Sequence, residues 1–424
     1  MRTTPYWLEH EDRMVFHAPR ILPDNSDVVV IGGGFTGLSC AYHLSKSGAN
    51  VLLIEAGKFG ALASGQNGGH VNNGLGGSYL AAKETYGERL ARELYWAYDR
   101  AVDLVEEIIQ SGEIDCYFQR TGKLKAATKP AHFESLRAQY EAMLREVDSD
   151  IELVSASDMR RELGSTGFHG GLLYKKSAQM HMGLYSQGLA RKILAQGGHI
   201  IEDTPVDVVS QTGKEFLVQT PRGPVRTREV VLATGTSRIG NFSWFKRRII
   251  PVGSFAIVTE PLSKSLIDDI LPRKRNVTTT PNLGNYFRIL PDDRFLFGGR
   301  AKFTTSSAQA DVECGKILKR AMVKYFPYLE RVRVDYCWGG SVDMTANRLP
   351  RLGIHEGMHY AMGYSGHGAQ ISTLMGKTIS DRILGRDLRL PFEELPWPCI
   401  PGYRGIPWFL PAVGAYYRFK DYIR

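Results

Sequence analysis

Hydrophobic positions near the start of the chain follow the pattern of a strand, a turn, a helix and a second strand. Residues 27–31 (DVVVI) form an apolar run that ends in GGGFTG, and the amphipathic segment LSCAYHLSKSG follows. A second apolar run, NVLLIE, comes next. Short apolar runs on either side of a segment with helical period are typical of a βαβ unit.

Helical and strand-like periods alternate along the rest of the chain. The pattern predicts helices over residues 80–110, 129–147, 181–196, 312–325 and 369–384. It predicts four short strands between residues 199 and 235, and further strands around residues 251–260 and 286–299. We therefore predict an α/β chain in which a meander leads back into a central sheet.

Three glycines at the first predicted turn match the GxGxxG pattern of dinucleotide-binding sites. Gly32 allows the tight turn, Gly34 lets the backbone approach a pyrophosphate, and Gly37 lets helix and strand pack closely. Free N–H groups and the helix dipole favour a pyrophosphate at the helix N-terminus. Glu55 ends the next predicted strand and can accept hydrogen bonds from both ribose hydroxyls. An unligated glycine turn is the alternative.

The chain after Glu55 favours FAD over NAD. It enters SGQNGGHVNNGLGG at residues 64–77, where an NAD-binding chain would form another crossover helix. Small residues there let the backbone lie against a flat isoalloxazine ring. A second glycine turn before a helix, GYSGHGAQ at residues 363–370, directs a helix N-terminus at the ring end that becomes negative on reduction. A flexible linker is the alternative for residues 64–77.

Composition limits the class of protein. The chain has 424 residues, 43% of them hydrophobic, which suits one or two globular domains. Five scattered cysteines form no CxxC pair, so we expect no disulfide, no metal centre and a cytoplasmic location. No signal-peptide core or membrane-length apolar run is seen, so we expect no transmembrane segment. The net charge of +9 suits anionic ligands, but the basic clusters are too short to predict nucleic-acid binding.

Six motifs give the chain a resemblance to a known family. They are ASGQNGGH (63–70), RTGKLKAA (120–127), LATG (232–235), YFRILPDDRFLFGGR (286–300), WGGSVDMTANRLPRLG (338–353) and GYSGHG (363–368). In this order they resemble the D-amino-acid oxidase-like (DAO) superfamily of FAD-dependent amine oxidases, especially its γ-glutamylputrescine oxidase subgroup.

The resemblance implies two domains. Residues 1–79, 175–248 and 336–424 would form a discontinuous, Rossmann-like FAD-binding domain. Residues 80–174 and 249–335 would form an α+β substrate domain with an antiparallel sheet.

The resemblance also implies the reaction. A hydride would pass from the carbon beside a nitrogen to the flavin, and water would hydrolyse the imine to an aldehyde or keto product. Electrons would go on to O2 or another acceptor. The small-molecule substrate would be an amine or amino acid such as γ-glutamylputrescine, or a cyclic or N-methyl amino acid such as pipecolate or sarcosine.

The residues that the resemblance assigns to FAD come from the two glycine turns, the glycine-rich stretch and two strand ends. They are Gly32, Gly34, Phe35, Thr36, Gly37, Glu55, Ala56, Ser64, Gln66, Asn67, Gly68, Gly69, Val206, Ala233, Thr234, Gly235, Gly366, Gly368 and Gln370. Sarcosine oxidases hold FAD covalently through a cysteine. Alignment on Thr345 puts Gly340 at that position, so we expect non-covalent FAD.

Four residues are candidates for the substrate side: His70, Tyr286, Arg288 and His367. Tyr286 and Arg288 alternate on a predicted strand, so both are expected to face one pocket, where a guanidinium group suits a carboxylate. A surface salt bridge is the alternative for Arg288, and a bond to flavin or backbone is the alternative for His70. His367, between two glycines, is expected beside the flavin.

Two other functions stay open at this point. A pyridine-nucleotide-dependent flavoprotein reductase or monooxygenase would need a redox cysteine pair, a second GxGxxG or a GD motif, and the sequence shows none of these. An FAD-binding protein without turnover is the second. The aromatic, basic tail at residues 407–424 is expected to dock on the FAD-binding domain, with a membrane or partner contact as the alternative.

Overall fold

The computed structural model describes residues 1–9, 22–237, 239–302, 308–386 and 388–423. The strands of this part of the chain are β1 (Asn25–Ile31), β2 (Val51–Ile54), β3 (His70–Val71), β4 (Lys123–Ala126), β5 (Ile151–Val154), β6 (Gly171–Tyr174), β7 (Ala178–Gln179), β8 (His199–Ile201), β9 (Val208–Thr212), β10 (Glu215–Thr220), β11 (Gly223–Leu232), β12 (Ile250–Pro261), β13 (Asn276–Thr279), β14 (Asn285–Ile289), β15 (Arg294–Gly299), β16 (Val334–Met344), β17 (Arg351–His355) and β18 (Met358–Met362). Its helices are α1 (Phe35–Lys46), α2 (Tyr79–Tyr86), α3 (Glu88–Gly112), α4 (Pro130–Glu146), α5 (Met182–Ala195), α6 (Ser243–Lys246), α7 (Lys264–Ile270), α8 (Ala308–Tyr325), α9 (Gly368–Ile383) and α10 (Leu410–Ile423).

The first sheet has the predicted strand–helix–strand unit at its centre. Its strands lie in the order β17-β18-β11-β1-β2-β8, and β9 and β10 extend from β11 as a meander. β1 pairs in parallel with both β2 and β11, and residues 28–31 are buried. A continuous buried apolar run is what a parallel strand covered on both faces requires. The carboxyl ends of β1, β2 and β11 therefore meet at one edge.

Helices α1 and α9 lie against each other beside this sheet. Gly376 allows the close approach, because a Cβ atom there would lie 2.9 Å from the backbone nitrogen of Cys40. Helices α3 and α5 share the same hydrophobic core, to which Leu38, Tyr98 and Ile379 belong.

The second sheet is mainly antiparallel, in the order β16-β12-β15-β14-β13-β4-β6-β5, with one parallel pair between β13 and β4. Phe287, Phe295 and Phe297 pack with Phe326 in a core that α8 covers. Because successive side chains of a strand alternate in direction, the neighbours of Phe287 lie on the opposite face of the sheet. That face borders the candidate site.

The predicted α/β class, with a second and mainly antiparallel sheet, is confirmed. The helix predicted over residues 80–110 is broken at Gly87, whose φ is +81°, into α2 and α3. α3 buries one face, where Leu94 and Tyr98 are fully buried, and exposes the other, where Trp96 is 41% exposed. The domain boundaries stay a prediction. β16 begins at Val334, runs across the boundary predicted between residues 335 and 336, and pairs with β12 in the second sheet. In the described ranges no helix has both the length and the apolar character to cross a bilayer.

Candidate active site

A cavity of about 800 Å³ connects the edge of the first sheet with the open face of the second. Volumes of this order suit a cofactor together with a small substrate. Its walls include the N-terminal residues of α1 and α9, the glycine-rich segment 64–70 and side chains of β4, β13 and β14.

The glycine turn after β1 brings backbone into the cavity. Gly32 has φ +109°, and a Cβ atom there would lie 2.5 Å from the carbonyl oxygen of Ala233. The N-cap residue of α1, Gly34, has no side chain, so the amide groups of the first turn depend on partners from elsewhere. The hydroxyl of Ser64 accepts a hydrogen bond from the Phe35 amide at 3.0 Å. The turn has the shape of an anion cradle.

The Glu55 carboxylate is fixed by two backbone amides. Oε2 accepts a hydrogen bond from Gly33 at 2.7 Å and Oε1 accepts one from Gly57 at 2.8 Å. A carboxylate has about four acceptor positions. Glu55 lines the cavity and so keeps acceptor capacity for hydroxyl groups of a ligand.

Two tryptophans fix the glycine-rich segment through hydrogen bonds to its backbone. Trp7 Nε1 donates to the carbonyl oxygen of Asn67 at 2.6 Å, and Trp338 Nε1 donates to that of Gln66 at 3.1 Å. Gly68 then lies against Tyr286, where a Cβ atom would be 2.5 Å from the ring. Sequence patterns did not indicate Trp7, because its partner is 60 residues away.

The N-terminus of α9 forms the opposite wall. The turn before it is held by Asp343, whose carboxylate accepts a hydrogen bond from the Gly363 amide at 2.7 Å. Burial raises the pKa of Asp343 to about 6. Gln370 is buried and reaches back to the Asn72 carbonyl oxygen at 2.5 Å, which joins α9 to the glycine-rich segment.

Nearly all residues that the sequence assigned to FAD lie on this one cavity. Gly37 and Gly69 are outside its lining: Gly37 packs α1 on the Gly32 carbonyl, and Gly69 lies against Trp7 and Arg288. The residues that line it are Gly32, Gly34, Phe35, Thr36, Glu55, Ala56, Ser64, Gln66, Asn67, Gly68, Val206, Ala233, Thr234, Gly235, Gly366, Gly368 and Gln370.

Three of the four substrate-side candidates also line the cavity: His70, Tyr286 and His367. The rings of His70 and Tyr286 meet edge to face with centroids 5.5 Å apart. Burial and the positive charge of Arg288 hold the pKa of His70 well below its usual range. Its Nε2 atom is buried and has no hydrogen-bond partner among the described residues. Burial and the charge of Lys123 lower the pKa of His367 to about 4.

Arg288 does not face the cavity, contrary to our expectation. Its Nη1 donates to the carbonyl oxygens of Gly69 at 2.5 Å and Met180 at 3.0 Å, and 1% of the residue is exposed. Arg288 and Tyr286 alternate on β14 as predicted, but the backbone of Gly69 and Met180 covers the Arg288 side chain. The surface salt bridge is excluded as well, and the role of Arg288 is to hold backbone.

Five cationic residues of the lining were not singled out from the sequence. They are Lys58, Lys123, Lys125, Arg300 and Arg348. Lys123 and Lys125 stand two residues apart on β4, so their side chains share one face of the sheet. Two lysines in alternation on an otherwise apolar strand were the available signal in RTGKLKAA.

A sequence profile of the DAO family, described as FAD dependent oxidoreductase, matches residues 27–382. The chain belongs to this family. The predicted resemblance, the FAD cofactor and the oxidoreductase class are thereby confirmed.

Full-length relatives agree with the family match. A probable oxidoreductase of Haemophilus influenzae, OrdL, is 32% identical over 99% of this chain and 97% of its own length. Gamma-glutamylputrescine oxidoreductase of Escherichia coli is 32% identical over 93% of this chain and 92% of its own length. Among solved structures, glycine oxidase of Geobacillus kaustophilus matches with a TM-score of 0.72 at 19% identity, over 88% of this chain and 99% of the other.

Proposed function

We propose that the protein oxidises the C–N bond of a small amine that also carries a carboxylate, giving an imine that water hydrolyses. The observation that supports this is the group of side chains at the end of the cavity that borders the second sheet. There the neutral histidines His70 and His367 and the Tyr286 ring share the cavity with the cations Lys125 and Arg300. Cations of this kind bind carboxylates, and a neutral imidazole accepts a hydrogen bond.

The residues of the cavity fit FAD. In our proposal the pyrophosphate lies at the N-terminus of α1, and Glu55 binds the adenosine ribose. The segment 64–70 and the N-terminus of α9 would hold the isoalloxazine ring. When bound, FAD supplies the hydride acceptor of the reaction.

The flavin is proposed to be non-covalent. Within the described part of the cavity lining there is no cysteine. Cys337 lies on the other side of the sheet, where its thiol donates to the Asp311 carbonyl at 2.8 Å. Flavin that stays on the chain after acid precipitation would contradict this.

His70 is proposed to hold the substrate nitrogen by a hydrogen bond once the ammonium has lost its proton. An alkylammonium has a pKa of about 10 and must lose its proton before its carbon can give up a hydride. Cationic neighbours lower that pKa and so favour the neutral amine, and the unpartnered Nε2 of His70 can accept a hydrogen bond from it. In His70→Gln we expect FAD to remain bound while flavin reduction by the substrate slows by about 10²-fold or more.

The substrate of the E. coli relative, γ-glutamylputrescine, is one candidate because its glutamyl end carries a carboxylate. Pipecolate and sarcosine share that group and are the other candidates. Electrons are proposed to pass to O2 or to another acceptor, which reoxidation of the reduced protein by air will distinguish.

Anaerobic reduction of the purified flavoprotein tests the proposal. We expect one or more carboxylate-bearing amines to bleach the oxidised flavin band and NADPH to leave it unchanged. Bleaching by NADPH alone would make the protein a reductase or monooxygenase. Bleaching by putrescine as well as by amino acids would remove the carboxylate from the proposal.

A further inference from the structure

The substrate end of the cavity contains more positive charge than the protein itself balances. Lys123, Lys125, Arg300 and Arg348 all line it. None of them forms an ion pair with a carboxylate in the described part of the chain. By contrast Lys58, at the Glu55 end of the same cavity, is paired with Glu202 and Asp203.

Sheet register places these cations on one face. Lys125 is in register with Thr278, Thr278 with Tyr286, and Tyr286 with Gly298. Residues in register across neighbouring strands point to the same side. Lys123 precedes Lys125 by two residues and Arg300 follows Gly298 by two, so both belong to that side as well.

Two of the four cations have polar partners within the protein. Lys123 Nζ donates to the Asn73 carbonyl oxygen at 2.8 Å and lies 3.9 Å from the centre of the Tyr174 ring. Arg348 Nη2 donates to the Tyr417 hydroxyl at 2.7 Å.

Lys125 and Arg300 differ from these two. Among the residues that the structure describes, Arg300 donates to the sulfur of Met344 at 3.9 Å and Lys125 forms no hydrogen bond. Burial lowers the pKa of both side chains. A desolvated cation without a counter-ion is unfavourable, so Lys125 and Arg300 are suited to an anionic ligand.

The acidic groups of the described lining do not neutralise the cluster. They are Glu55 and Asp343. Glu55 belongs to the edge of the first sheet and is held by Gly33 and Gly57. Asp343 accepts the Gly363 amide in the turn before α9 and forms no ion pair with any of the four cations in the described part of the chain.

On the basis of the function proposed above, we propose that the substrate is an amine with two acidic groups, at least one of which lies between Lys125 and Arg300. One carboxylate would neutralise one of these cations and leave the other uncompensated. A dicarboxylate, or a carboxylate with a phosphonate, neutralises both. The FAD pyrophosphate does not replace it, because its proposed position is at α1 on the first sheet, whereas Lys125 and Arg300 belong to the second.

This proposal separates the protein from a γ-glutamylputrescine oxidase. γ-Glutamylputrescine carries one carboxylate and two ammonium groups, so its net charge is positive. A cluster of uncompensated cations repels its free ammonium end. N-substituted acidic amino acids, such as N-methylaspartate, match the charge of the cluster better.

Binding of acids to the holoenzyme tests the proposal without turnover. Succinate and butyrate have the same number of carbons and differ in one terminal carboxylate. We expect succinate to perturb the flavin spectrum with a Kd at least about tenfold lower than that of butyrate. 3-Phosphonopropionate is the second probe: tighter binding than succinate would indicate a phosphonate, and weaker binding a dicarboxylate.

Substitutions test whether Lys125 and Arg300 cause the preference for succinate. Lys125→Met and Arg300→Met should each reduce the preference for succinate to less than about threefold, with Lys125→Gln as a substitute if the first variant loses FAD. Lys175→Met is the control, because Lys175 pairs with Asp150 and Glu152 away from the cavity. Equal binding of the two acids by the wild type, or a preference that survives in both variants, would overturn the proposal.

Turnover separates this inference from the proposed function. We expect N-methylaspartate to bleach the flavin at lower concentration than N-methyl-2-aminobutyrate, which has an ethyl side chain in place of the second acid. If both amines bleach the flavin equally, the proposed second acidic group of the substrate is wrong, and the proposed amine oxidation is still supported. If no amine bleaches it, the amine oxidation is wrong, and the succinate titration still decides whether a diacid binds.

Discussion

Arg288 holds the backbone beneath the glycine-rich segment through the carbonyl groups of Gly69 and Met180. Hydrogen bonds from a charged donor contribute about 1.5–3 kcal/mol each, and both acceptors are buried. Arg288→Met should therefore lower the free energy of unfolding by about 3 kcal/mol and reduce FAD retention. Urea denaturation followed by tryptophan fluorescence measures this.

A substrate-binding role for Arg288 would give a different result. In the fraction of Arg288→Met that keeps FAD, we expect KM for the substrate to stay within about twofold of the wild type. The exposed Arg333→Met variant is the control for a lost surface charge. A raised KM with unchanged stability would return Arg288 to the substrate pocket.

Lys123 makes stability depend on pH. Burial lowers its pKa from 10.5 to about 7, with Lys125 adding to this and Asp99 and Asp148 opposing it. Between these values the unfolded chain binds a proton that the folded protein does not, so stability rises with pH by about 1.4 kcal/mol per unit. Below pH 7 the full cost of burying the charged amine is present.

Lys123→Met removes this pH-dependent contribution to stability. We expect the variant to gain more in Tm relative to the wild type at pH 6.5 than at pH 9.5, with both proteins measured without substrate. Lys175→Met, with its exposed lysine, should show no such difference. An equal gain at the two pH values would mean that Lys123 keeps an ordinary pKa.

At the scale of elements, the β1–turn–α1 unit depends on the absence of a side chain at Gly32. Gly32→Ala adds a Cβ atom 2.5 Å from the Ala233 carbonyl oxygen at φ +109°. Gly48→Ala is a matched control, because Gly48 has φ +83° but nothing within 4 Å. We expect Gly32→Ala to purify without FAD and Gly48→Ala to keep it at a cost of about 1 kcal/mol. FAD content by absorbance decides between them.

The same unit shows how far sequence reasoning extends. Its strand, turn and helix are local features, and the spacing of Gly32, Gly34 and Gly37 signals a close backbone approach. The position of Arg288 is not local: its alternation with Tyr286 is correct, but the carbonyls that cover it come from residues 69 and 180. Likewise, the pattern of Lys123 and Lys125 gives their common face, but only the pairing of β4 with β13 shows that this face borders the cavity.

At the scale of the whole molecule, the C-terminal helix α10 packs on the second sheet and holds, from outside, the loop at residues 281–284 that lines the cavity. The tail was expected to dock on the FAD-binding domain. Its contacts fall on both predicted domains: Met344 and Arg348 belong to the predicted FAD-binding segment 336–424, and Val252 and Asn282 belong to the predicted substrate domain. Leu410 packs with Val252 and Met344 of the second sheet, and the Asp421 carboxylate accepts hydrogen bonds from the amides of Asn282 and Leu283. The partners in these contacts are far apart in the chain, so no local sequence pattern predicts them. An aromatic surface of the helix stays exposed, with Tyr422 at 85%.

The contacts of Asp421 predict a distinct effect on substrate binding. Residues 281, 282 and 284 line the cavity, and Asp421 holds their loop from outside with bonds of 2.7–2.9 Å. Without this charged acceptor the loop loses its anchor, and the cavity wall that it forms becomes less well positioned. Asp421→Ala should therefore raise KM roughly tenfold, equivalent to about 1.4 kcal/mol. FAD content should not change, because the turn at α1 and the Glu55 carboxylate belong to the other sheet. Phe419→Ala, on the exposed side of the same helix, should leave KM unchanged; an equal rise in both variants would mean that the helix acts through general stability rather than through the loop.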